Sequence, residues 1–220
     1  MRTVIIVFPG SNCDRDAAEA VRMVTGKPAI MVWHADHDLP QADLIILPGG
    51  FSYGDYLRTG AMAAHAPVMR SVIRRAQAGV YVLGICNGFQ ILCETQLLPG
   101  ILLRNQDLKF KSLPARLSVA NNNSAFTRAY QAGQDVTIPI AHGDGNYFAD
   151  EATLKQLRGN NQILFRYADN PNGSAGDIAG ICNARGNVMG MMPHPERAME
   201  SIHCSTDGAG VFKSVLMAIQ

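Results

Sequence analysis

Three side chains carry the reactive chemistry of this sequence: Cys86 in LGICNGFQIL, and His194 and Glu196 in MMPHPERAM. Gly84-Ile85-Cys86-Asn87-Gly88 has the glycine-x-nucleophile-x-glycine form of a strand-to-helix elbow. The residue at the tip of such a turn has a strained backbone, so its neighbours two away must be small. The turn also sets the sulfur at a helix N-terminus, where the macrodipole and free N–H groups favour thiolate over thiol. A nucleophile needs a base, and the base needs an orienter. His194 and Glu196 stand two apart after an apolar run, a spacing that in extended backbone puts both side chains on one face. Pro195 favours extended backbone at His194. The expectation is acyl transfer: His194 takes the Cys86 proton while Glu196 holds the imidazole.

Acyl transfer also needs donors for an oxyanion. The amide of Asn87, directly after the nucleophile, is one candidate. The other is Gly50, in the PGG turn ending DLIILPGG, where glycine permits an N–H aimed into a cleft.

The elements that must position these groups are legible as a pattern. Near-continuous apolar runs at 3–8, 29–33, 43–48 and 80–85 predict strands buried on both faces, as in a parallel sheet. Helix-length segments lie between and after them, at 14–25, 60–78 and 87–97. Beyond residue 100 the chain turns strand-rich, at 113–119, 135–141, 162–168, 177–183 and 187–192. NARGN (183–187) reads as the turn of a hairpin, and a helix at 208–218 closes the chain. The fold class is α/β: a doubly wound, three-layer α/β/α domain with a mostly parallel central sheet, spanning 1–220 as one unit. In such sheets ligands sit at the carboxyl ends of the strands. PGSN, PGGFSYGD and GICNGFQ all fall there.

Composition sets limits. Charged residues are 17% of the 220, below the roughly one quarter usual in soluble domains, and 47% are apolar. Nineteen basic side chains against eighteen acidic ones leave +1, with no basic field for nucleic acid. The apolar run near the N-terminus is too short for a membrane span and has no export cleavage site after it, so the expected location is the cytoplasm. Cysteines at 13, 86, 93, 182 and 204 include no CxxC pair, so neither a zinc site nor a dithiol redox motif is expected. His34 and His37 flank Asp36 without enough further ligands for a metal.

With these residues in hand, the sequence resembles the triad class of glutamine amidotransferases, through GxCxGxQ and the downstream HxE. Within that class, PGSNCDRDA (9–17), PGGFSYGDYLRTGAMA (48–63), LGICNGFQIL (83–92), PIAHGDGNY (139–147) and GMMPHPERAM (190–199) resemble the family of glutaminase subunits of phosphoribosylformylglycinamidine synthase. The resemblance implies hydrolysis of free glutamine to glutamate and ammonia through a thioester on Cys86, with His194 and Glu196 as its partners. It makes Gln90 a glutamine-pocket residue. It also implies a separate synthetase subunit that uses ATP and magnesium to make formylglycinamidine ribonucleotide, and a small bridging subunit; this chain itself would carry no cofactor. One departure stands out: Asp144 occupies a position where the family more often carries Glu.

Other residues take plainer readings. His142 sits in a glycine-rich loop and reads as structural or interfacial. Ser11 or Asn12 reads as a helix cap, and Tyr53, Tyr56 and Arg58 as a subunit interface beside the site. Cys93, on the same helix as Cys86 but off the elbow, is expected to be inert. Two other functions remain open: a cysteine hydrolase or peptidase on the same elbow, and a non-catalytic regulatory subunit.

Overall fold

A computed structural model describes all 220 residues. The strands are β1 Thr3–Val7, β2 Ile30–Trp33, β3 Leu44–Leu47, β4 Tyr81–Ile85, β5 Ile101–Leu103, β6 Lys111–Val119, β7 Asp135–His142, β8 Asn146–Phe148, β9 Ile163–Tyr167, β10 Ile178–Cys182 and β11 Val188–Met191. The helices are α1 Asp14–Thr25, α2 Ala61–Ala64, α3 Met69–Gln77, α4 Asn87–Glu94, α5 Glu151–Gly159 and α6 Ala209–Ile219.

Nine strands form one sheet in the order β2-β1-β3-β4-β11-β10-β9-β6-β7, and β5 pairs with β8 apart from it. From β2 to β11 every pairing is parallel. Beyond β11 the pairings are antiparallel, so β10 and β6 alone run against the other seven strands. The apolar runs of β1, β3 and β4 lie in the buried interior, all four residues of β3 being fully buried, whereas β2, expected to be buried on both faces, is an edge strand and exposes Ile30, Met31 and Trp33. The crossover through α1 moves away from β3 while that through α3 moves toward β4. Right-handed connections in opposite directions put those helices on opposite faces.

The hairpin expected at 183–187 joins β10 to β11, closed by Gly186 N–H donating to Asn183 O at 3.0 Å. The helix expected at 60–78 is broken into α2 and α3, because Pro67 cannot continue the ladder. Three elements carried no expectation: β5, β8 and α5. The signal for α5 was Asp150, whose carboxylate accepts the Thr153 N–H at 2.7 Å as an N-cap. No helix is long and apolar enough to cross a membrane.

The far edge of the sheet curls back over the carboxyl ends of β4 and β11. Pro139 and Ala141, two apart on β7, turn their carbonyls to the two halves of the elbow-and-loop pair. Pro139 O accepts the His194 N–H at 2.8 Å, and Ala141 O lies 3.7 Å from Cys86 Sγ.

Candidate active site

Cys86 stands between β4 and α4 with φ 49° and ψ −105°, a backbone conformation that L-residues rarely adopt. The fold enforces it through its glycines. A Cβ on Gly88 would lie 1.9 Å from Leu47 O, and one on Gly84 would lie 2.5 Å from Leu92 Cδ1. Met191 O on β11 accepts the Cys86 N–H at 2.7 Å, which fixes the tip of the turn. The elbow predicted from GICNG is therefore present, and its tight neighbours are β3 and the first turns of α4.

His194 and Glu196 are joined, with His194 Nδ1 donating to Glu196 Oε1 at 2.7 Å, and both residues are buried. The route differs from the expected one. Pro195–Arg197 form a 3₁₀ turn rather than a strand, so Glu196 reaches the ring around a corner. His194 itself (φ −100°, ψ 87°) stays near extended, as Pro195 requires. Burial works against charge on His194, but Glu196, then the Cys86 and Cys13 sulfurs, hold its pKa well above the ordinary value. Its Nε2 and the second Glu196 oxygen, Oε2, have no hydrogen-bond partner in the chain. Nε2 is thus free for a proton from Cys86, whose thiol rests on the Ala141 carbonyl.

The amides of Gly50 and Asn87 likewise donate to no acceptor in the chain. A Cβ at Gly50 (φ 120°) would lie 2.5 Å from Asn12 N, so this turn admits no side chain. Asn87 Oδ1 accepts the Ser52 N–H at 3.2 Å, and its Nδ2 donates to Gln90 Oε1 at 2.8 Å. Gln90 Nε2 donates in turn to Asp144 O at 2.7 Å. These bonds tie the loop after β3, the start of α4 and the 142–145 loop around the nucleophile. Burial, then the Asp144 charge, pushes the nearby Asp55 carboxyl up to about 6. Asp144 itself approaches Arg104 at 3.9 Å.

His142 is a buried loop anchor. Asn105 Oδ1 already accepts from Gly145 N, so His142 Nδ1 donates to it at 3.1 Å, while Nε2 faces Asn172 Nδ2. Burial, then repulsion from His194, lowers the His142 pKa to about 4, which keeps the ring neutral. The cap expected before α1 is absent. Ser11 Oγ donates to Gly49 O at 3.1 Å in the β3 loop, while Asn12 Oδ1 accepts from the thiol of its neighbour Cys13. Tyr53 OH pairs with His34 Nδ1 at 2.6 Å, and Arg58 pairs with Glu94. Tyr56 and Leu57 between them are exposed.

Sequence reasoning missed Cys13. It is buried, and its Sγ, a His194 ring nitrogen and a Glu196 oxygen lie within 4.8 Å of one another. The available signal was its place in PGSNC, at the carboxyl end of β1 beside the PGG turn.

An elbow cysteine, a histidine–carboxylate pair and unpaired amides at the carboxyl ends of parallel strands define a cysteine acyl-transfer enzyme of the α/β class. A profile of the CobB/CobQ-like glutamine amidotransferase domain matches residues 1–211, and the chain belongs to that family. It is 57% identical over 218 residues to the phosphoribosylformylglycinamidine synthase subunit PurQ of Novosphingobium aromaticivorans, covering 99% of this chain and 97% of that one. Against the subunit of the same name from Rhizobium meliloti it is 54% identical over 221 residues, covering 100% and 99%. Among solved structures, a chain of PurLQS from Thermotoga maritima superposes with a TM-score of 0.90 at 43% identity, covering 100% of this chain and 99% of that one.

Proposed function

We propose that this chain is the glutaminase subunit of a phosphoribosylformylglycinamidine synthase. It hydrolyses glutamine to glutamate and ammonia and supplies the ammonia to a synthetase subunit that makes formylglycinamidine ribonucleotide in purine biosynthesis. The observation that carries this reading is the buried His194–Glu196 pair opposite a strained Cys86, in a chain matching named subunits over nearly its full length.

In this reading Cys86 Sγ attacks the side-chain amide carbon of glutamine. His194 Nε2 takes the thiol proton and returns it to the departing ammonia; water then cleaves the thioester with His194 again as base. Glu196 holds the tautomer and balances the imidazolium. The Gly50 and Asn87 amides receive the oxyanion. Gln90, held by Asn87 and the Asp144 carbonyl, borders the glutamine pocket. ATP and magnesium act on the synthetase subunit, with a small third subunit bridging the two, in the cytoplasm. The exposed Tyr56-Leu57 tip is the face assigned to these partners. The test is turnover by the assembled complex. Cys86→Ala is expected to abolish glutamine-dependent synthesis and spare ammonia-dependent synthesis; loss of both would contradict the division of labour.

A further inference from the structure

We propose that Cys13, His194 and Glu196 form a site for a thiophilic divalent cation, zinc by its ligand chemistry, entered from behind the relay, and that the bound ion switches the relay off. The three ligand atoms, one from each residue, lie within 4.8 Å of one another, and all three residues are at least nine-tenths buried. Thiolate, imidazole and carboxylate together are a donor set suited to zinc, with a fourth position left for water. Gly49 keeps the ligands facing each other: a Cβ there would lie 3.3 Å from His194 Nδ1 and 3.4 Å from Cys13 Sγ.

Two independent observations point to a ligand. Glu196 Oε2 is buried and has no hydrogen-bond partner, although its carboxylate is otherwise committed to His194. Glu196 also borders a cavity of about 480 Å³, its own side chain fully buried behind the wall, where Asp16, Glu19, Glu200 and His203 supply anionic and imidazole groups. Arg197 is there too, paired with Asp16 at 2.9 Å. Three carboxylates against one guanidinium line this cavity, one buried side chain away from the relay.

Binding exchanges protons for metal. The thiol proton of Cys13 leaves to solvent, the Nδ1 proton of His194 moves to Nε2, and the ion takes both places. Zinc bonds of about 2.0–2.3 Å require Nδ1 and the Glu196 oxygen to separate by roughly half an ångström from their hydrogen-bonded distance. Nε2 then carries the ring's one proton and has no lone pair for Cys86, so the base is lost while the nucleophile is untouched.

The test uses the full chain in a Cys86→Ala background, titrated with cobalt(II) as a spectroscopic stand-in for zinc. One equivalent is expected to bind with a thiolate-to-cobalt charge-transfer band. Cys13→Ser is expected to abolish the band, and Glu196→Gln to weaken binding at least tenfold. Unfolding midpoints and a Cys13→Ala variant separate loss of ligand from loss of fold. A band that survives Cys13→Ser in this background, or one seen only when Cys86 is present, would overturn the site. These measurements need no turnover, so they stand apart from the proposed reaction. For the switch itself, Cys13→Ser in the otherwise native chain is expected to raise the zinc concentration that half-inhibits glutamine hydrolysis at least tenfold; unchanged sensitivity would reject it.

Discussion

His194 and Glu196 meet across 2.7 Å through a single 3₁₀ turn, not along a strand. The carboxylate therefore approaches Nδ1 from beside the ring and leaves Nε2 free. Glu196→Gln keeps the shape but presents an amide that can favour the wrong tautomer. The expected result is a fall in kcat of about 10³- to 10⁴-fold with KM for glutamine little changed, measured as glutamate release.

Gly49 is the second residue on which the ring depends. A Cβ there would lie 2.6 Å from His194 Cε1, so Gly49→Ala must push the imidazole aside. A displacement on the order of 1 Å is expected to cost about 10²-fold in kcat. Gly159, at the end of α5, has open space around the same atom, and Gly159→Ala is expected to leave kcat unchanged and stabilise by about 0.5–1 kcal/mol. Parallel assays and thermal melts check both.

The sequence exposed the parallel half of the sheet because β1, β3 and β4 are buried on both faces and read as unbroken apolar runs. It exposed the elbow because Gly84 and Gly88 are demanded by contacts at 2.5 Å and 1.9 Å. What it hid was long-range. Nothing local tells that β7 curls back to hold His194 through Pro139, or that Cys13 comes beside His194, 181 positions away. Ser11 and Asn12 looked like caps because their types suit caps; a bond to the β3 loop took Ser11 and the Cys13 thiol took Asn12 instead. β5 and β8 were too short, at three residues each, to announce themselves.

His142 makes stability depend on pH. Its folded pKa of about 4 lies below the unfolded 6.5, so between these values the unfolded chain binds the extra proton. The contribution is complete above pH 6.5 and is lost as pH falls toward 4, reaching about 3 kcal/mol. Urea midpoints are expected to fall from pH 7 to pH 4.5 in the native chain and to fall less in His142→Gln.

Cys93 shares α4 with the nucleophile but lies off the elbow, buried, and burial drives its thiol far above the ordinary range. Cys93→Ala is expected to cost about 1 kcal/mol of stability and to leave glutamine turnover intact.

The role of Cys86 as nucleophile is tested by mass-spectrometric mapping after reaction with a glutamine-analogue electrophile. One adduct per chain is expected, on Cys86, blocked by excess glutamine and slowed severely by Glu196→Gln. Labelling at Cys13, Cys93 or Cys182 instead, or labelling of Cys86 indifferent to glutamine, would contradict it.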